Sequence, residues 1–104
     1  MNTANRPYIG EFLYHYEGGG TYRLNVPNET DLHWECVKGS EVGAKGSEKP
    51  QRYEVANNVY FVTWIESTGV QISQALNFET NKVFVTISEG QDRYVLVGDI
   101  ERVH

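Results

Sequence analysis

Cysteine is nearly absent from this sequence. Cys36 is the single one among 104 residues, so no internal disulfide can staple the chain. Basic side chains are also scarce. With 9 Lys and Arg against 14 Asp and Glu, the formal charge is −5 and no basic stripe exists for a phosphate backbone to follow, which argues against a nucleic-acid partner. Long apolar runs are missing too: the longest near-continuous one, residues 59–65, is far short of the roughly 20 residues that a membrane span requires. Residues 1–7 are polar where a signal peptide would be apolar, so the expectation is a soluble, cytoplasmic protein with no membrane partner. The histidines stand at 15, 33 and 104, without the spacing of zinc ligands, and neither a metal site nor a cofactor is expected. No stretch carries Ala, Leu, Glu and Lys at helical spacing, which leaves helix without a signal.

What the sequence does have is alternation punctuated by turns. Its length suits one domain, residues 1–104, able to bury about 60–70% of its unfolded surface. Alternating apolar segments fall at 11–17, 21–26, 31–37, 51–55, 59–66, 70–78, 82–88 and 93–102, and predict eight strands. The junctions carry turn chemistry: Gly18-Gly19-Gly20, Pro27-Asn28, Asn57-Asn58, Ser67-Thr68-Gly69, Thr80-Asn81 and Glu89-Gly90-Gln91-Asp92. One longer polar link, residues 38–50, reads as a mobile loop over one end of the sheet. Short links favour an antiparallel meander, and closing such a sheet on itself removes its exposed edges, so an all-β up-and-down barrel is expected. At eight strands a barrel is either filled by side chains or just wide enough for one small ligand.

Alternation sorts each strand into two faces. In the first, Phe12, Tyr14 and Tyr16 form the aromatic, inward face, and the two hydroxyls stand at successive levels, suited to grip a carboxylate or a phenol or simply to line the barrel mouth. Tyr22 and Leu24, then Leu32, Trp34 and Cys36, continue that face, with Cys36 as a small filler. In the fifth strand Tyr60, Val62 and Trp64 run in phase with Glu66, which is either a solvated strand-end residue or a luminal acid. His15 and His33 fall on the polar faces and read as surface imidazoles. The glycines at 18–20 make a hairpin and not a phosphate cradle, because no helix follows them.

Together, Tyr8-Ile9-Gly10, Tyr14-x-Tyr16-Glu17, Val59-Tyr60-x-Val62-x-Trp64-x-Glu66-x-Thr68-Gly69, Ser73 and Leu76-Asn77-Phe78 resemble the lipocalin-like (calycin) barrel shared by MoaF-like proteins and bacterial phenolic acid decarboxylases. In the decarboxylases a tyrosine pair and a loop arginine hold the substrate, and a glutamate after the tryptophan moves a proton. The resemblance therefore implies that Tyr14, Tyr16 and Glu66 face the lumen, with Glu66 as the acid of a lyase if the chain is one. The family arginine has no match, since Ala44 falls at its aligned place with Lys45 beside it. Ser67 replaces the usual proline, and the helical C-terminal segment of the decarboxylases has no counterpart before His104. These departures favour a MoaF-like protein.

Three functions compete. The first is a binding module whose lumen, lined by Tyr14, Tyr16, Tyr22, Trp34, Tyr60, Trp64 and Glu66, takes a small aromatic or phenolic ligand. The second is a cofactor-independent lyase of 4-hydroxycinnamate type, in which phenol deprotonation and side-chain protonation give a quinone methide that collapses with loss of carbon dioxide. The third is an interaction subunit with a solid barrel, pairing as a homodimer through its outer face.

Overall fold

A computed structural model describes residues 6–103. The polar stretch 1–5 and the histidine at 104 lie outside the described residues. Nine strands follow one another: β1 (Gly10–Tyr16), β2 (Thr21–Val26), β3 (Leu32–Lys38), β4 (Lys45–Glu48), β5 (Gln51–Ala56), β6 (Val59–Ile65), β7 (Gln71–Asn77), β8 (Lys82–Glu89) and β9 (Asp92–Arg102). No helix of the described residues is long and apolar enough to cross a membrane.

The strands form one antiparallel sheet in the order β4-β3-β2-β1-β9-β8-β7-β6-β5. Pairing of β1 with β9, Phe12 opposite Arg102 through Tyr16 opposite Gly98, joins the first and last strands, so the sheet's two edges are the consecutive strands β4 and β5. Only Lys49-Pro50 separates them, and the sheet curls into a barrel of lipocalin type whose seam lies there. Proline offers no backbone N–H to a ladder, which suits it to that seam.

The ninth strand corrects the expectation of eight. Residues 38–50 are not one mobile loop, because Lys45–Glu48 pairs with β3 from Glu35 opposite Lys45 to Leu32 opposite Glu48. Nothing in Lys-Gly-Ser-Glu alternates in hydrophobicity, so the segment carries no strand signal of its own. Cross-strand contact holds it instead: the Trp34 indole lies over Gly46, where a Cβ would come within 2.7 Å of Nε1, and that Nε1 donates to Glu48 Oε2 at 3.0 Å.

Turn residues act as their chemistry suggests. Asn58 and Asn81 take left-handed backbone angles (φ 60° and 58°) at the β5–β6 and β7–β8 reversals, a conformation asparagine adopts more readily than most residues. The inward phase of the strands then makes one core from Phe12, Tyr14, Leu24, Val26, Leu32, Tyr60, Val62, Trp64, Ile72, Leu76, Val83, Val85 and Ile100. Each such aliphatic or phenyl group contributes about 1.5–3 kcal/mol when fully buried. Cys36 is buried in the same phase, as a small filler should be. His15 and His33 lie on the outer face, bonded to Glu101 Oε1 and Ser47 Oγ at 2.8 Å each. Also outside, Tyr53, Phe61, Ala75 and Phe84 sit opposite one another in register across β5 to β8, with Tyr53, Phe61 and Phe84 exposed.

Candidate functional site

The two ends of the barrel are built differently. At one end the chain segment before β1 folds over the opening: Tyr8 packs edge-on against Tyr60 with centroids 5.0 Å apart, and Phe78 contacts both Phe12 (5.8 Å) and Tyr60 (6.1 Å). Two guanidinium groups cap these rings, Arg52 at 4.2 Å from the Tyr8 centroid and Arg102 at 4.7 Å from that of Phe12. Cations over ring faces gain from the ring quadrupole while their alkyl stems cover apolar surface, so this end is plugged.

At the other end, the C-terminal ends of β1, β6 and β8 and the N-terminal ends of β2, β7 and β9 leave a cavity of about 100 Å³. Its walls are Tyr16, Tyr22, Trp34 and Trp64, its floor is aliphatic (Leu24, Ile72, Val85), and Glu66 stands at its rim. Space for Tyr16 depends on Gly98 opposite it, since a Cβ there would sit 2.9 Å from the ring and 2.5 Å from the His15 carbonyl oxygen. Neighbouring rings meet at an angle, Tyr16 to Tyr22 at 5.9 Å and Tyr22 to Trp34 at 6.1 Å between centroids.

Five of the seven residues singled out from the sequence thus line one space: Tyr16, Tyr22, Trp34, Trp64 and Glu66. Tyr14 and Tyr60 do not. Tyr14 lies below the cavity, 3% exposed in the packed interior, where Arg52 reaches it electrostatically from the plugged end. Tyr60 belongs to the plug itself, beside Tyr8 and Arg52. Only Tyr16 of the pair adjoins the cavity, and the two phenols lie close enough that, beyond the effect of burial, Tyr14 pushes the Tyr16 phenol further up.

Electrostatics follow from burial. Removal from water pushes the Tyr14, Tyr16 and Tyr22 phenols well above their ordinary range, with Glu41 adding to the effect at Tyr22, so all three are neutral at physiological pH. Half-burial also raises the Glu66 carboxyl, a hydrogen bond from Trp64 Nε1 at 3.3 Å opposes this, and the negative charges of Glu48 and Glu41 reinforce it. Each of these three carboxylates holds one aromatic donor of the wall: Glu66 takes Trp64, Glu48 takes Trp34 and Glu41 takes the Tyr22 hydroxyl at 3.4 Å. Among the described residues, no Lys, Arg or His lines the cavity. Ala44 sits in an exposed turn, and Lys45, likewise exposed, lies outside the lining.

Of the seven lining residues not singled out from the sequence, Gln74 is the polar one. Gln74, in phase with Ile72 and Leu76 on β7, is 4% exposed, and its Oε1 is buried without a hydrogen-bond partner. Its signal was available: it is the one polar side chain on the inward phase of an otherwise apolar strand. An acceptor left without a partner in this way costs about 1–3 kcal/mol.

Comparison with known proteins agrees with this architecture. A crystal structure described as "a putative beta-lactamase from Burkholderia vietnamiensis" is similar, with a TM-score of 0.86 over 93% of this chain and 96% of that one; at 20% identity the likeness is one of fold. No curated protein matches the sequence. The family profile described as MoaF-like matches residues 10–101, from the first residue of β1 almost to the end of β9, and the chain accordingly belongs to the MoaF-like family.

Proposed function

We propose that this MoaF-like barrel binds one small, flat, mostly apolar ring compound in the cavity at its open end. The observation that carries the reading is the wall itself: four aromatic side chains around an aliphatic floor, with Glu66 and Gln74 as the polar groups that fix orientation. That division, apolar enclosure with a few placed polar atoms, is the usual anatomy of a small-molecule site. At about 100 Å³ the enclosed part suits a single ring, since a protein cavity of roughly 150 Å³ takes up benzene.

Decarboxylation of a phenolic acid is the second reading, favoured at one point by the raised Glu66 carboxyl, which keeps more of the acid form available to donate a proton. Opposing it, the substrate's own carboxylate would meet Glu66, Glu48 and Glu41 with no cation in the lining. A deleted charge-stabilising donor costs a catalyst about 3–4 kcal/mol. β-Lactam hydrolysis by a serine route finds no support either, as the lining holds no Ser or Lys.

Calorimetric titration with 4-methylphenol, catechol and p-coumarate, alongside assay of carbon dioxide release from p-coumarate, tests the proposal. Binding of the neutral phenols with no turnover is expected. Enzymatic release of carbon dioxide, abolished in Glu66→Gln, would make the lyase reading correct, and absence of any binding would remove the binding module.

A further inference from the structure

Among the described residues, Glu66 is the charged side chain that lines the open-end cavity. Glu66, Glu48 and Glu41 surround it closely enough for Glu66 to feel the other two, and no basic side chain lines the cavity. These carboxylates are not a metal site: among the described residues no three His, Cys, Asp or Glu side chains are grouped to hold an ion. They stand apart, each tethered by one oxygen to a different aromatic of the wall, through Trp64 Nε1, Trp34 Nε1 and the Tyr22 hydroxyl. The second oxygen of each remains outside those bonds. A spread of negative charge framed by ring faces fits a bulky organic cation, which gains from Coulomb attraction at the carboxylates and from the quadrupoles of Tyr16, Tyr22, Trp34 and Trp64.

A second, independent observation lies inside the cavity. Gln74 belongs to the lining, and its Oε1 is buried and unpartnered, so an occupant with an O–H or N–H at its inner end suits it. An anionic group there would add repulsion to the orphaned acceptor.

We propose that the open-end cavity selects a small aromatic amine bearing a hydrogen-bond donor at its far end. The ammonium sits at the rim against Glu66, Glu48 and Glu41, the ring lies between Tyr16, Tyr22, Trp34 and Trp64, and the donor meets Gln74 Oε1. This assignment rests on the binding reading above and adds the charge and polarity of the ligand to it. It also gives the wall's hydrogen bonds a role, since indole and phenol donors hold the carboxylates in place before the cation arrives.

A matched ligand series on the unmodified chain tests it by calorimetry at low salt and pH 7.5: 4-hydroxybenzylamine, benzylamine, 4-methylphenol and 4-hydroxybenzoate. The expected order puts 4-hydroxybenzylamine first, about tenfold tighter than either benzylamine or 4-methylphenol, as one charge-assisted or one buried hydrogen bond predicts. The benzoate should not bind. Glu66→Gln should narrow the advantage of 4-hydroxybenzylamine over 4-methylphenol, and Gln74→Leu should erase its advantage over benzylamine. Equal or tighter binding of 4-methylphenol or 4-hydroxybenzoate would overturn the amine assignment and leave a phenol-binding barrel standing. Failure of all four ligands to bind would overturn both.

Discussion

The plugged and open ends of this barrel are both built from aromatic side chains on shared strands, with phenylalanine and tyrosine at one and tryptophan and tyrosine at the other, yet they are arranged oppositely. At the plugged end the aromatics contact one another and are capped by Arg52 and Arg102, so the ring faces are covered within the chain, while the Nε of Arg52, like that of Arg6, is buried without a hydrogen-bond partner. At the open end the rings stand around a space, the charged residue of the lining is Glu66, and Gln74 Oε1 has no partner. One end fills its own opening, and the other keeps a space among its rings. The arginines make the difference, because a guanidinium with its long stem can both fill an opening and neutralise it.

The largest effect that would sharpen this contrast is expected from Phe12→Ala. Phe12 is 1% exposed and packed between Phe78 and the Arg102 guanidinium, so truncation should cost about 3–5 kcal/mol in urea unfolding. A loss under about 1 kcal/mol would show that the plug is not part of the cooperative core. Smaller and of opposite sign is Gln74→Leu. Exchanging a buried, unpartnered amide for an apolar group of similar size should stabilise the ligand-free protein by about 1–3 kcal/mol, measured as a higher urea midpoint at unchanged slope. Destabilisation would mean that the amide is satisfied in solution.

The smallest effect concerns pH. Because the fold raises the Glu66 carboxyl above its ordinary value of 4.5, its protonated form is the one the folded state prefers. Whatever Glu66 contributes to stability is fully present below the unfolded-state value and is lost as pH rises through the higher folded-state one. Solvent screening at this half-exposed site keeps the effect small. Wild type should therefore lose stability relative to Glu66→Gln between about pH 4 and neutrality. A constant difference across that range would place Glu66 in ordinary solvent contact and weaken its assignment to the rim.

Much of this was legible without coordinates. Alternation put Phe12, Tyr22, Leu24 and Trp34 on the inward face, where they are, because a period of two leaves no choice once one face must be buried, whereas both faces of the strand holding Val62 and Trp64 are apolar and the resemblance was needed to orient it. Glu66 continues the Trp64 phase past the end of β6 and reaches the cavity rim. Gln74 is legible by the same rule, as the polar residue on the inward phase of β7 between Ile72 and Leu76.

Strand number and compartment were a different matter. β4 exists through its pairing with β3 and through the Trp34 indole lying over Gly46, contacts that a four-residue polar segment cannot announce. Whether Tyr14 adjoins the cavity with Tyr16 or is sealed beneath it depends on how far the Tyr8, Phe78 and Arg52 plug fills the barrel, and that is a matter of volumes summed across six strands. The sequence by itself determined the sheet, its inward face and the acidic balance, since these rest on local period and charge count. Only the tertiary structure decided which end stays open, which charges gather there and which acceptor is left unpaired, because each of those depends on residues distant in the chain meeting at one place.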